Sequence, residues 1–172
     1  MYFRHVLASV GGLITGGLGR RWKLIPLGEL FLAEPAPLQV WLLLATWWTK
    51  INWAIASPFG FEDGYMPAGF SRLALKHLLD LPEGNLESFE TFADRIVEDA
   101  RLVWPIQDQD SGRRILRGII ERILIDPLVD FGILQADYEP HKTLGVEFRE
   151  LSAFRITPFG KGLLQAIREE MR

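Results

Sequence analysis

Two stretches near opposite ends of the chain repeat each other without a gap. Residues 24–32, LIPLGELFL, align with residues 156–164, ITPFGKGLL. Upstream, residues 12–14 match residues 132–134, at positions where a helix is expected to give way to a strand. Self-similarity of this kind restricts the fold, because both copies must build the same local structure. The pattern predicts helix end, glycine, strand, loop, strand and proline-started helix, twice.

The residue types of the repeat have local physical reasons. Pro26 and Pro158 suit the first position of a helix, where a missing N–H costs no hydrogen bond. A glycine two residues later, in each copy, lets the new helix lie close against the hairpin. Thr157 can cap the second helix, whereas Ile25 cannot cap the first, which weakens that helix start by about 1 kcal/mol.

Apolar periodicity and turn residues predict the elements of the middle and C-terminal parts of the chain. These are helices over 71–79, 88–104, 111–125 and 126–132, and a hairpin of strands 133–138 and 147–156 around a loop at 139–145. The helix from Ser88 places Phe89, Phe92 and Val103 on its apolar face, and Pro105 is expected to end it. We therefore predict a mainly α fold with small β-hairpins, in the α+β class.

The second copy resembles a known group of domains. Residues 155–164, RITPFGKGLL, follow a predicted hairpin and residues 128–134, LVDFGIL, and they resemble the wing-to-helix end of winged-helix domains, where LTxxG follows the wing. Residues 24–53 are similar to the helicase-associated, XPB N-terminal-like winged-helix modules of bacterial proteins, in which a wing ending in LTPxGxxWL precedes a Trp-rich helix. The resemblance implies tandem winged-helix-like units that serve DNA binding or protein interaction.

Charge divides the chain into three parts. Residues 1–60 carry five basic and two acidic side chains, residues 61–110 carry four and eleven, and residues 111–172 carry ten and nine. We predict a partial winged-helix-like unit with a Trp-rich helix over 1–60, an acidic helical linker over 61–110, and a C-terminal winged-helix-like unit over 111–172. Only ten residues precede the first glycine pair, so helices that normally precede a wing are absent from the first unit, and we expect a homo-oligomer or a larger parent chain to complete it.

Basic side chains are the candidates for contacts with DNA. They are Arg20, Arg21 and Lys23 on the first wing, Arg113, Arg114 and Arg117 on the helix before the second wing, and Lys142 in the second wing. Winged helices resembling this one place a helix in the major groove and a basic wing on the backbone. The formal net charge of −3 and the carboxylates of residues 61–110 oppose DNA binding unless they face away.

Residues 36–56 are long and apolar enough to raise the question of a membrane span. However, Gln39, Thr46 and Lys50 form a polar stripe, which favours a nearly buried helix of a protein outside the membrane. Its tryptophans are therefore candidates for the core or for a self-association interface: Trp41, Trp47, Trp48 and Trp53. The apolar residues 6–18 contain four glycines and no clear cleavage site, so we expect no secretion and a cytoplasmic location.

No residue pattern supports catalysis. The absence of cysteine excludes disulfides, zinc ribbons and thiol chemistry. The three histidines lack metal-ligand spacing, so we expect no metal, no cofactor and no enzyme activity. We predict a DNA-binding or helicase-associated regulatory module, with a protein-interaction module as the alternative. An enzyme would gain support if a pocket joined Asp108, Asp110 and His141.

Overall fold

The computed structural model describes residues 2–17, 19–53, 67, 69–103, 108–143 and 145–172. Helices and strands alternate in small groups along the chain. In order they are α1 (Tyr2–Val10), β1 (Ile14–Gly17), β2 (Arg20–Leu24), α2 (Pro26–Ala33), α3 (Ala36–Thr49), α4 (Phe70–Asp80), β3 (Glu87–Ser88), α5 (Phe89–Asp99), α6 (Gln109–Ile120), a π-helical turn (Glu121–Ile125), α7 (Asp126–Asp130), β4 (Leu134–Thr143), β5 (Val146–Ile156) and α8 (Pro158–Glu170). The predicted α+β class, mainly helical with small antiparallel hairpins, is confirmed.

The strands form two separate antiparallel sheets. β1 and β2 make a two-stranded hairpin in which Ile14 faces Leu24. The second sheet has the order β3-β5-β4, so β5 is central, β4 lies at one edge, and Leu134 faces Ile156. β4 and β5 extend to residues 143 and 146, so most of the predicted 139–145 loop belongs to strands.

The repeat is present in three dimensions. α1 and α7 both end at a glycine with positive φ, +69° at Gly12 and +71° at Gly132. Both ends are closed by the same two backbone hydrogen bonds of a Schellman turn. The matching pairs are Leu13 N–H to Ala8 O (2.8 Å) and Ile133 N–H to Leu128 O (2.9 Å), then Gly12 N–H to Ser9 O (3.0 Å) and Gly132 N–H to Val129 O (2.9 Å).

The proline-started helices also dock in the same way. A Cβ on Gly28 would overlap the carbonyl oxygen of Leu13, and a Cβ on Gly160 would overlap that of Ile133. Only a residue without a side chain permits this approach of helix to strand. The predicted difference in capping is confirmed, because the Thr157 hydroxyl accepts the Gly160 N–H at 2.9 Å while Ile25 makes no side-chain cap.

One continuous hydrophobic core joins the two ends of the chain. Trp47 from α3, Phe92 from α5, Phe154 from β5 and Leu164 from α8 are all buried in it. Residues 61–110 are therefore not a linker in the part that the structure describes, because α4 and α5 pack in this core and β3 pairs with β5. The charged side chains of these residues lie on the outer faces of the helices, and the inner faces are apolar. A count of charges along the sequence does not distinguish the two faces.

Two predicted helix boundaries are wrong. α5 ends at Asp99, where a Schellman turn places Arg101 at φ +52° and leaves Val103 72% exposed, ahead of Pro105. The break expected before Pro127 is also absent, because the chain stays helical from Gln109 to Asp130. A π-helical turn directly before the proline changes the hydrogen-bond spacing and so accommodates the missing N–H.

α3, the Trp-rich helix, is 14 residues long. Among the described residues, no helix has the length and apolar character needed to cross a membrane.

Candidate interaction surfaces

The first hairpin carries an uncompensated basic surface. Arg20, Arg21 and Lys23 are all exposed on β2, and none of them makes an ion pair or a side-chain hydrogen bond with another described residue. Trp22 between them is 45% exposed and lies over Gly16, where an added Cβ would come within 3.1 Å of the indole ring. The hairpin therefore holds cations and an aromatic face in solvent on a short, defined backbone.

The arginines of α6 are engaged by α5. Arg117 makes a two-pronged contact with Asp94, at 2.8 Å from Nε to Oδ1 and 2.7 Å from Nη2 to Oδ2, and it also contacts Glu90. Arg113 lies 3.7 Å from the Asp94 carboxylate and 4.0 Å from that of Glu98. The hydrogen bonds from Arg117 lower the pKa of Asp94. Of the three α6 arginines predicted to contact DNA, Arg113 and Arg117 therefore hold α5 to α6.

The groove between α6 and the second hairpin is net acidic. Its volume is about 460 Å³, and its charged lining consists of Arg114 and Arg117 against Glu90, Glu121, Glu139 and Glu150, with His141 on the hairpin. Burial raises the pKa of Glu121, and the neighbouring Asp126 carboxylate adds to this effect. Lys142 lies 3.4 Å from Glu147 on the same hairpin. A phosphate backbone in this groove would meet more carboxylates than cations.

Three of the four tryptophans predicted at an interface lie inside the protein. Trp47, Trp48 and Trp53 are 1%, 3% and 4% exposed. Trp48 Nε1–H donates to the Ser71 carbonyl at 3.0 Å, which joins α3 to α4, and Trp53 Nε1–H donates to the Trp47 carbonyl at 2.8 Å. These indoles are part of the core and cannot form the predicted surface, whereas Trp41 is half-buried.

An exposed apolar surface lies instead on α2 and the adjoining face of α3; we call it the α2–α3 face. Leu27, Leu30 and Leu32 are 52%, 65% and 61% exposed, and Gly28 is the buried residue of α2. A groove of about 380 Å³ runs between the two helices, lined by Leu13, Leu27, Leu30, Phe31, Leu42 and Leu43. The sequence of α2 already indicates such a surface. Its apolar residues lie on several sides of the helix, and each apolar side favours a packing partner.

A second groove, which sequence reasoning missed, lies between α4 and α8; we call it the α4–α8 groove. It has a volume of about 410 Å³, and its basic lining is Arg72, Lys76, Arg168 and Arg172. Arg72 and Lys76 are four residues apart on α4, which places both on one face of that helix, while Arg168 lies in the last turn of α8 and Arg172 follows the end of α8 by two residues. The sequence shows the spacing of these cations, but it does not show that α4 and α8 lie side by side.

The residues considered for catalysis do not come together. The Asp108 carboxylate caps α6 by accepting the N–H groups of Asp110 and Ser111, at 3.2 and 3.3 Å. His141 lies on the second hairpin, 3.5 Å from Glu150, in a groove whose lining does not include Asp108 or Asp110. Within the described ranges, no group of three or more histidine and carboxylate side chains is placed to hold a metal ion.

Comparison of the chain with protein-family models, with curated proteins and with solved structures finds no match.

Proposed function

We propose that this protein is a non-enzymatic interaction module of two winged-helix-like units that self-associates through the α2–α3 face. The observation that carries the proposal is the exposure of Leu27, Leu30 and Leu32 beside an open apolar groove. Burying one such side chain stabilises an assembly by about 1.5–3 kcal/mol. Contiguous exposed apolar patches on proteins mark interaction sites.

The occupant that fits this surface best is a second copy of the chain. The α2–α3 face contains both a ridge, formed by the exposed leucines of α2, and a groove beside it, so it is complementary to itself under a two-fold axis. Two charged residues also line the groove: Glu34 lies at the connection of α2 and α3, and Lys50 lies at the C-terminal end of α3. In an antiparallel pair, Glu34 of one copy would approach Lys50 of the other.

The winged-helix interpretation is supported most strongly in the second unit, taken from here on as α4 to α8. There α4, α5 and α6 precede the β4–β5 hairpin, β3 joins it as a third strand, and α8 begins at Pro158. In the first unit α1 precedes the hairpin, and Trp47 and Trp48 of α3 pack into the core shared with the central helices. The exposed leucines of α2 are not covered by this core.

Light scattering after gel filtration tests self-association. We expect the wild-type protein to be a dimer and Leu30→Glu to be a monomer, because an unpaired carboxylate in an apolar interface costs about 3–5 kcal/mol, a loss of a hundredfold or more in affinity. Leu86→Glu is the matched control, since Leu86 is 57% exposed and does not line the α2–α3 groove. A wild-type monomer at high concentration, or a dimer that Leu30→Glu leaves intact, would contradict the proposal.

A second candidate function is nucleic-acid binding through the first hairpin. It is favoured by the uncompensated charges of Arg20, Arg21 and Lys23 and by the exposed ring of Trp22, which could stack on a base. The contrast with α6 matters here, because Arg113 and Arg117 of α6 are already paired with carboxylates.

Fluorescence anisotropy against duplex and single-stranded DNA over a salt series tests this second function. Each phosphate contact contributes about 0.9 to the logarithmic salt slope for duplex and about 0.7 for single strands. The triple variant Arg20→Ala, Arg21→Ala, Lys23→Ala should lose that slope, while Arg149→Ala with Arg155→Ala on the second hairpin should keep it. No binding of wild type at low salt would exclude the function.

A further inference from the structure

The α4–α8 groove has a mixed lining. α4 contributes Leu75 and Leu79, and α8 contributes Met171, so apolar side chains form the floor. The rim consists of the four exposed cations Arg72, Lys76, Arg168 and Arg172, with Asp80 as the one acidic side chain of the lining. No described carboxylate forms an ion pair with any of these cations. Their nearest polar contact is the Arg72 guanidinium at 3.5 Å from the Met171 carbonyl.

A side-chain contact links the two helices that form the groove. The Lys161 ammonium donates to the carbonyls of Leu79 and Leu81, at 2.6 and 2.8 Å, and so ties the beginning of α8 to the C-terminal end of α4. These carbonyls have no partner within the helix, so the ammonium also satisfies the helix end. A groove that is already formed loses little conformational entropy when a ligand enters.

We propose that the α4–α8 groove binds an acidic amphipathic helix of another protein. Like charges gathered along a groove without carboxylate partners raise the local positive potential, and an anionic partner lowers it. The four-residue spacing of Arg72 and Lys76 on α4 matches carboxylates placed one turn apart on a bound helix. The distance along α4 from Arg72 to Asp80 is about 12 Å, or two helical turns.

The apolar floor distinguishes a peptide helix from a nucleic acid. A phosphate backbone would satisfy the cations of the rim, but it offers no apolar stripe to cover Leu79 and Met171. An amphipathic helix offers both, with leucines toward the floor and glutamates toward the rim. This site lies on the second unit, and it does not depend on the self-association proposed for the α2–α3 face.

A labelled synthetic peptide of about 15 residues serves as the probe, with leucines on one helical face and glutamates on both sides of it. The control peptide has lysine at every glutamate position. Fluorescence anisotropy should show binding of the glutamate peptide, weakening with added salt, and no binding of the lysine peptide. Arg72→Glu with Arg168→Glu should weaken binding about tenfold or more, and Arg149→Glu with Arg155→Glu on the second hairpin should not.

Three outcomes would overturn the proposal: equal binding of both peptides, binding that Arg72→Glu with Arg168→Glu leaves unchanged, or binding of duplex DNA but not of peptide at these arginines. Circular dichroism checks that the variants keep their helix content. Lys76→Gln, which removes one exposed charge, gives an independent test with an expected loss of about threefold. Leu30→Glu should retain peptide binding, so failure of self-association and failure of this site are distinguishable.

Discussion

The two copies of the repeat share a backbone and differ in what covers them. In the second copy, β5 buries Leu151, Phe154 and Ile156, and α8 buries Leu164. In the first copy every residue of β2 is exposed, and α2 buries Gly28. Local chemistry therefore determines the turn, the hairpin and the helix start, whereas burial depends on helices supplied from elsewhere in the chain. A repeat can keep its shape after its two copies have come to present different surfaces.

The largest expected contrast is between Phe154 and Trp22, which occupy equivalent positions in the two copies. Phe154 is fully buried, and Phe154→Ala should lower the free energy of unfolding by about 4 kcal/mol. Trp22→Ala should lower it by only about 1 kcal/mol, because the residue is 45% exposed and the substitution removes less buried surface. Urea denaturation measures both values. Similar losses for the two variants would mean that the first copy is also covered.

A smaller effect is expected at the close helix–strand contact. Gly160→Ala should lower the free energy of unfolding by about 2–3 kcal/mol, because the new Cβ meets the backbone carbonyl of Ile133. Gly162→Ala is the control in the same helix, where an added Cβ meets nothing within 4 Å, and it should stabilise by about 1 kcal/mol. Gly28→Ala should destabilise less than Gly160→Ala, since α2 packs against little else. Chemical denaturation of the three variants ranks them, and a neutral Gly160→Ala would refute the shared docking.

The second unit also carries two carboxylates with opposite pH behaviour. The pKa of Asp94 is lowered by Arg117, so its contribution is present above the ordinary aspartate pKa and is lost as pH falls through the lowered value. Asp94→Asn should cost about 1 kcal/mol at neutral pH, and the difference from wild type should shrink in acid.

Burial raises the pKa of Glu121, so its charged form opposes folding. Glu121→Gln should raise the free energy of unfolding as pH rises above the ordinary glutamate pKa, and the gain should vanish below it. Denaturation at several pH values measures both profiles. If the free energies of unfolding of Asp94→Asn and Glu121→Gln changed with pH in the same direction relative to wild type, the two carboxylates would not have the different surroundings described here.

The smallest expected effect compares the two helix starts. Thr157→Ala should lower the free energy of unfolding by about 1 kcal/mol, because it removes the acceptor for the Gly160 N–H. Ile25→Thr should stabilise α2 by a similar or smaller amount. Thermal denaturation by circular dichroism gives both changes, and a loss of stability in Ile25→Thr would indicate that the isoleucine side chain has a packing role.

The local parts of this fold could be predicted from the sequence. The repeat, the Thr157 cap and the apolar face of α5 follow from short-range chemistry, and each is present in the structure. The contacts between Arg117 and Asp94 could not be predicted, because 23 residues separate the partners and their meeting depends on how α5 packs on α6. For the same reason, the sequence alone could not decide whether the tryptophans of α3 lie in the core or at the surface.

The strand β4 lies at the edge of its sheet, and its ten residues include Pro140 and the charged residues Glu139 and Lys142. A proline in a paired strand occupies a position whose N–H would point away from the neighbouring strand, so the free edge lacks a donor there. Charges and proline on an edge discourage the addition of further strands. Among the strands that the structure describes, β4 has the longest open edge, and this edge is thereby protected against fibre-like stacking.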